Sequence, residues 1–476
     1  MYRQKLPCHI KNIYLHINTN PKKKMKTIHK IALIIAIVVI VASSIIISLR
    51  WNAWFGNLTE ETYAISAVQD RIVLSYTLDG KSITISWRYG NKSTKNVVEY
   101  YDMQSQDTLF VNAQCTTIST QGGTQNHYRA TLHSYTNNTS YTYRLINDST
   151  VSDWHTFTIG NPSQAIDFIL FGDIQDEADG PSAQLFHDVA LHYPKIDFWA
   201  FVGDLAERPT DYYWQVVFDA LQPYASHIPI IACPGNHEHR KGLKKELDPR
   251  WIWMFGQPQL QNATDYSIDM PLLHIASVNS DGLFWPWDYL QKRNQLTKYH
   301  ILSAPSQQQW NVLLMHHPIY PGSIGRHNLL FRTTLNPLIE KNDIHLVLCG
   351  HDHSYARRIA VNEDVKTPPV YLLTNSSSKY YLSNCDPAAD KIACGIRLYS
   401  HIHITPDTLR ISTYTADAHQ LYDEIICIRT SENIQVIDMG DKIAEQILLP
   451  ERFNKDSKKD IRKKFMKKKA LRESSK

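Results

Sequence analysis

Five apolar runs in this chain each stop at a tight turn, and carboxylate, amide or imidazole side chains follow at once. The endings read ILFGDIQ, AFVGDLAE, IIACPGNHEH, LLMHHPIY and LVLCGHDHSY. The runs before them, IDFILF, DFWAFV, PIIA, NVLLM and HLVLC, have the length and continuous apolar character of strands buried on both faces. Between them SAQLFHDVALHY, DYYWQVVFDALQPY and NLLFRTTLNPLIEK carry an apolar stripe at helical spacing. This alternation predicts a layered α/β domain. Open α/β sheets collect ligands at the carboxyl ends of their strands, where all five polar endings fall.

The residue types at those ends point to one chemistry. Asp173 and Asp204 are two carboxylates, enough to offset most of the charge of two hard or borderline cations. His316, His351 and His353 offer ring nitrogens that bind a cation only when neutral. Asn236 adds an amide oxygen without adding charge, and His237, next in line, points past such a centre towards an anionic substrate. Any one of these residues alone reads as a capped turn or a surface histidine. Five such endings in succession within one domain favour a site.

The remaining texture frames that domain. From Ile72 to Phe157, ITISWRY, VVEYYD, HYRATL, YTYRLI and WHTFTI alternate like half-buried strands separated by polar turns, predicting an all-β sandwich over 65–160. Gly160-Asn161-Pro162 marks a linker, and the α/β domain is expected over 165–430, with strands returning in VYLLTN, LYSHIHIT and LRISTYT. In the 243–300 stretch, Trp251, Trp253, Trp285 and Trp287 read as core packing or as a pocket wall. Residues 452–476 hold twelve Lys/Arg against three acids, and a solvated, disordered basic tail is the expectation, with contact to anionic lipid or polysaccharide as the alternative. Residues 1–30 hold eight Lys/Arg and no acid, which leaves 30 basic against 43 acidic residues between the two ends. That acidic body argues against nucleic acid as a partner.

At the amino end, the 19 uncharged residues of 31–49 follow a cluster of lysines. At ~1.5 Å per residue they match a bilayer core of ~30 Å, and the positive side is expected to stay in the cytoplasm. An uncleaved signal-anchor and a cleavable signal peptide both fit. Residues 1–24 read as an upstream start, because Met25 precedes the same lysine-then-apolar pattern. Seven cysteines contain no CxxC pair; Cys233 and Cys349 read as small buried residues, and Cys385 with Cys394 brackets a polar loop that a disulfide would close in an oxidising compartment.

The motif order GD…GD…GNHE…MHxP…GHxH resembles the calcineurin-like metallophosphoesterases, and the preceding sandwich resembles the purple acid phosphatases among them, over roughly residues 65–430. The resemblance implies a four-layer α/β (α+β) sandwich of two β-sheets flanked by helices, behind a fibronectin type III-like domain. It also implies phosphate-ester hydrolysis at a two-metal centre (Fe, Mn, Zn or Mg, divalent or mixed-valence), on the extracytoplasmic side. By motif, Asp173 and His353 match ligands of the first metal, Asp204 the bridging carboxylate, and Asn236, His316 and His351 ligands of the second. His237 matches the histidine that contacts phosphate; Arg326 and His327 lie where substrate-facing residues are found, but read first as ordinary loop residues. Two positions depart from the pattern. Purple enzymes carry a tyrosine where this chain has Glu207, and other phosphoesterases carry a histidine where it has Gln175. Glu207, as the charged group, is expected as the substitute ligand, with Gln175 second, and a protein without the purple colour follows. Phosphomonoester hydrolysis is the leading expectation; phosphodiester or nucleotide hydrolysis and a metal-depleted binding scaffold are the alternatives.

Overall fold

The computed structural model describes residues 21–475 apart from 64–65, 106, 243, 259, 261–262, 284 and 360–367. Most of the proposed upstream start, with Cys8, therefore lies outside the described residues. The chain divides into two compact units at Asn57/Leu58. The first is a helix, Pro21–Phe55, whose 29–52 stretch is long and apolar enough to cross a membrane.

The second unit opens with the sandwich. One sheet pairs Asp70–Tyr76, Ile83–Tyr89, Thr124–Thr131 and Gln114–Ser119, and the other is built on Asn96–Asp102 and Thr139–Asn147. Trp87, Tyr100, Tyr128, Tyr143 and Leu145 fill the space between them. The strand Asp70–Tyr76 begins two residues before the alternating texture read from Ile72, inside the predicted 65–160 domain, and the short strands Leu109–Asn112 and Gln114–Ser119 were not anticipated. Most residues of that pair are exposed, so they leave little apolar alternation to read.

Beyond the linker, two seven-stranded sheets face each other. In the first, Ile166–Phe171, Phe198–Phe201 and Ile230–Ala232 run parallel, with Phe168 opposite Phe198 and Trp199 opposite Ile230. In the second, Leu273–Val278, Trp310–Met315, Leu346–Cys349 and Val370–Leu373 run parallel. Side chains alternate along each strand. Phe168, Leu170 and Ala200 join Val312, Leu314 and Leu348 in the core between the sheets. Ile169, Phe171, Trp199 and Phe201 pack outward on the helices Ser182–His192 and Asp211–Ala225. Leu313, Met315 and Val347 do the same beneath Pro286–Lys298 and the 329–341 helices. The result is the expected α/β/β/α order. The helix predicted over 328–341 is split into Leu329–Thr334 and Asn336–Lys341, because Pro337 can neither donate to the preceding turn nor leave its predecessor a free choice of helical geometry.

The carboxyl end corrects the sequence reading. Residues 459–475 form an ordered helix, Lys459–Ser475, preceded by short 3₁₀ turns. Phe453 and Phe465 are buried with Leu382, Ile392, Cys394 and Ile447, and Arg472 is buried on Glu445 at 2.7 Å. The lysine count hid one apolar stripe, which extends the domain past 430. Cys385 and Cys394 sit in this same core as free thiols, and Cys233 and Cys349 are buried as expected.

Candidate metal centre

Five turns at the carboxyl ends of the parallel strands converge. Asp204 Oδ2 lies 3.1 Å from His316 Nε2, which lies 3.2 Å from Asn236 Oδ1 and 3.1 Å from His351 Nδ1. Ligand atoms of Asp204, His316 and His351 fall within 4.8 Å of one another. Asp173 Oδ1 accepts the His351 N–H at 2.7 Å and stands 3.9 Å from His316 Nδ1. His237 donates its backbone N–H to Asp204 Oδ1 at 2.8 Å.

The backbone conformations that aim these groups are costly. Asp173, Gln175, Asp204, His351 and His353 all have positive φ, between 41° and 77°. Non-glycine residues are held there only when the surroundings over-determine them, and such strain gathers at functional sites. Gly235 shows how tight the packing is: a Cβ there would fall 2.1 Å from Asp204 Oδ1. Glu238, fully buried, accepts the backbone N–H groups of Asp204, Ala206 and Gly235 at 2.7–3.1 Å, which ties the Asp204 turn to the Asn236 turn. Sequence reasoning assigned Glu238 nothing, although it is the fourth residue of GNHE. Asp352 likewise fixes a loop, accepting from Gly322 and Ser323 and from Arg326.

Burial and the two carboxylates pull these groups in opposite directions: against its own burial, the His316 pKa is raised to about 9 by Asp204 and Asp173. Burial holds the His353 imidazole neutral, its pKa down at about 3, and pushes His351 well below the ordinary histidine range. Burial raises the Asp173 carboxyl to about 8 despite the neighbouring His316, whereas the His316 and His237 imidazoles hold Asp204 below the carboxylate range against its own burial. Asp173 Oδ2, His353 Nδ1 and both amide atoms of Gln175 are buried with no hydrogen-bond partner. Orphaned buried donors and acceptors cost ~1–3 kcal/mol each, so their clustering fits a group that would bind them. Asp173, Asp204, Asn236, His316, His351 and His353 are the residues that could hold metal ions here.

The two residues that depart from the family pattern sit in different surroundings. The Glu207 carboxylate is engaged by Lys379 Nζ at 2.7 Å and Arg208 Nη1 at 3.2 Å, so the charged residue favoured as ligand already has cationic partners. Gln175, the second choice, has the unpartnered oxygen. Arg326 is tied to Asp352 and stacks on Tyr381, whose ring meets His353 edge-on at 4.7 Å. His327 is exposed, and none of the described hydrogen bonds joins it to the cluster. Trp251 is core, Trp253 is half-buried, and Trp285 and Trp287 are exposed and stacked on each other. The 243–300 stretch reaches the site instead through Ser280 on His317 and Asp281 on His239.

Comparison with known proteins agrees with this architecture. Residues 150–355 match the family model described as calcineurin-like phosphoesterase, and residues 69–159 match the purple acid phosphatase N-terminal domain. The chain is 25% identical to "Probable purple acid phosphatase 20" of Arabidopsis thaliana, over 49% of this chain and 56% of that protein. It is 24% identical to human "Acid phosphatase type 7", over 62% of this chain and 72% of that one. Among solved structures, purple acid phosphatase PPD1 from yellow lupin (Lupinus luteus) seeds superposes with a TM-score of 0.64 at 17% identity, covering 77% of this chain and 76% of that one.

Proposed function

We propose, for a chain that belongs to the calcineurin-like phosphoesterases and carries a purple acid phosphatase N-terminal domain, that it hydrolyses phosphate monoesters with two bound metal ions, outside the cytoplasm. The observation that carries the reading is the convergence of Asp204, Asn236, His316 and His351 on one buried point, with the unpartnered Asp173 Oδ2 and His353 Nδ1 adding to the donor set. A pair of cations held by these residues supplies the positive charge that polarises the phosphate and acidifies the attacking water. Asp204, in contact with His316 and with the His237 backbone, would hold the cations from the middle of this donor set. His237 Nδ1 lies 2.6 Å from the Glu207 carbonyl oxygen. Nδ1 also lies 2.9 Å from Arg208 Nη1 and so faces the loop, which leaves Nε2 as the atom to meet the ester and to give a proton to the departing oxygen.

The extracytoplasmic placement rests on the apolar 29–52 stretch and the lysines before it, as an anchor or as a signal segment. The test is hydrolysis of an aryl phosphate with added Mn²⁺ or Mg²⁺. Asp204→Ala is expected to lower kcat/KM by about 10³-fold or more, the rate equivalent of several kcal/mol of lost charge stabilisation. Full activity in that variant would defeat the proposal. Because Glu207 replaces the tyrosine of the purple enzymes, the iron-loaded protein is expected to lack a strong visible tyrosinate band. An absorption spectrum checks this.

A further inference from the structure

Exposure rises from a buried acid–imidazole centre to the cationic side chains beside it. The side chains of Asp173 and His316 are 0% exposed and Asp204 2%; Glu207 is 13% exposed, His237 18%, and Arg208 and Lys379 are each 30% exposed. Lys379 comes from the segment after the strand Val370–Leu373, and Arg208 from the turn before the helix Asp211–Ala225. Both reach Glu207, and Arg208 Nη1 also lies 2.9 Å from His237 Nδ1. Lys241, on the loop after His239–Arg240, stands close enough for Arg208 and Glu207 to act on its charge. One carboxylate is thus met by two bonded cations with a third nearby, in a body that is otherwise acidic. Arg326, by contrast, is taken up by Asp352. A partly exposed Lys–Glu pair contributes little on its own, so Lys379 can exchange its partner for a ligand at small cost. Charge-assisted bonds from Arg and Lys are the usual means of holding a phosphate or carboxylate.

We propose that Arg208 and Lys379, with the charge of Lys241 near Arg208, form a subsite for a second anionic group of the substrate. The favoured esters then carry a further phosphate or carboxylate a few bonds from the scissile one. This rests on the phosphomonoesterase reading and narrows its substrate class. Glu207 acts here as the positioning residue: it holds both cations beside His237 until the ligand's charge replaces its own.

The test compares α,ω-alkanediol bisphosphates of two to six carbons with the matching alkyl monophosphates. The two reactive ends alone give a bisphosphate about twofold in kcat/KM. The subsite predicts a preference of about tenfold or more for at least one chain length, the effect of one added charge-assisted contact. Lys379→Met and Arg208→Met are each expected to reduce that ratio towards twofold, and Lys379→Arg to restore much of it. The ratio within one variant is insensitive to a general loss of folded or metal-loaded protein. A wild-type ratio near two at every length, or a ratio unmoved in both Met variants, overturns the proposal. Calorimetric binding of an alkane bisphosphonate against the monophosphonate gives a readout that needs no turnover. If no ester is hydrolysed, the hydrolase reading fails; tighter bisphosphonate binding that weakens in Lys379→Met would still support the subsite, and equal binding of the two ligands would end it.

Discussion

Gly235 and Glu238 do different work from the ligand candidates beside them. Gly235 gives way to Asp204, whose Oδ1 and backbone N would lie 2.1 and 2.3 Å from a Cβ at that position. Glu238 gathers three backbone N–H groups from two turns. Gly235→Ala must therefore displace Asp204, and a misplacement of ~1 Å at a reacting centre costs about 10²-fold in rate. A loss of kcat/KM of that order, with fewer metal equivalents per chain by elemental analysis, is the expected outcome; wild-type values for both would contradict the geometry. At this scale the sequence was most legible. Asp173, Asp204, Asn236, His316 and His351 announce themselves because each stands immediately after a buried strand. Lys379 and Arg208 carry no such mark, since a lysine in SSSKYY or an arginine in AERPTD looks like any exposed cation until its partner Glu207 is placed.

Among the elements, the helix Lys459–Ser475 shows where a local reading misleads. Its lysines dominate any count, but Phe465 is buried with Cys385, Cys394 and Phe453, and Arg462 caps the carbonyls of Phe453 and Asn454. Phe465→Ala is expected to destabilise the protein by ~3–5 kcal/mol through lost burial and the cavity left behind. The exposed Lys464→Ala should stay within ~0.5 kcal/mol of wild type. Urea unfolding of both decides whether the helix is docked in solution; equal midpoints would mean that it is not. The strand positions Ile83–Tyr89 and Ile166–Phe171 were read from the sequence with their observed ends, because continuous or alternating burial leaves a strong imprint. Leu109–Asn112 and Gln114–Ser119 left none, being mostly exposed.

Across the whole molecule, the sandwich and the α/β domain are joined by buried charge. Arg71 and Arg88 from the sandwich, together with Gln125, bond Asp211 at the start of the helix Asp211–Ala225. Glu60 bonds Arg250 and the Asp211 backbone N–H, and Arg250 is held in turn by Asp248. His127 is buried beside this network. Burial first, then the charges of Arg71, Arg88 and Arg250, depress its pKa from 6.5 to about 3. Between those values the unfolded chain binds a proton that folded His127 refuses, so stability falls as pH falls below about 6.5 and this contribution to the loss ends near 3. From pH 7 to pH 5 that loss is ~2 kcal/mol at 1.36 kcal/mol per pH unit. His127→Gln, which removes the titrating group, should shrink the drop in unfolding free energy between those two pH values by about that amount. An unchanged drop in chemical denaturation would show that His127 is not held neutral.

The amino-acid sequence by itself determined the two textures of strand, the order of the domains, the helical stretch at the amino end and the residues at five strand ends, because burial periodicity and turn chemistry are written locally. Only the tertiary structure decided that these ends meet, that Glu207 faces two cations while Gln175 is left unpartnered, and that the basic carboxyl end docks as a helix. Those outcomes depend on which distant side chains come within a few ångströms of each other, and hydrogen bonds and ion pairs at that range are fixed by packing rather than by sequence neighbours.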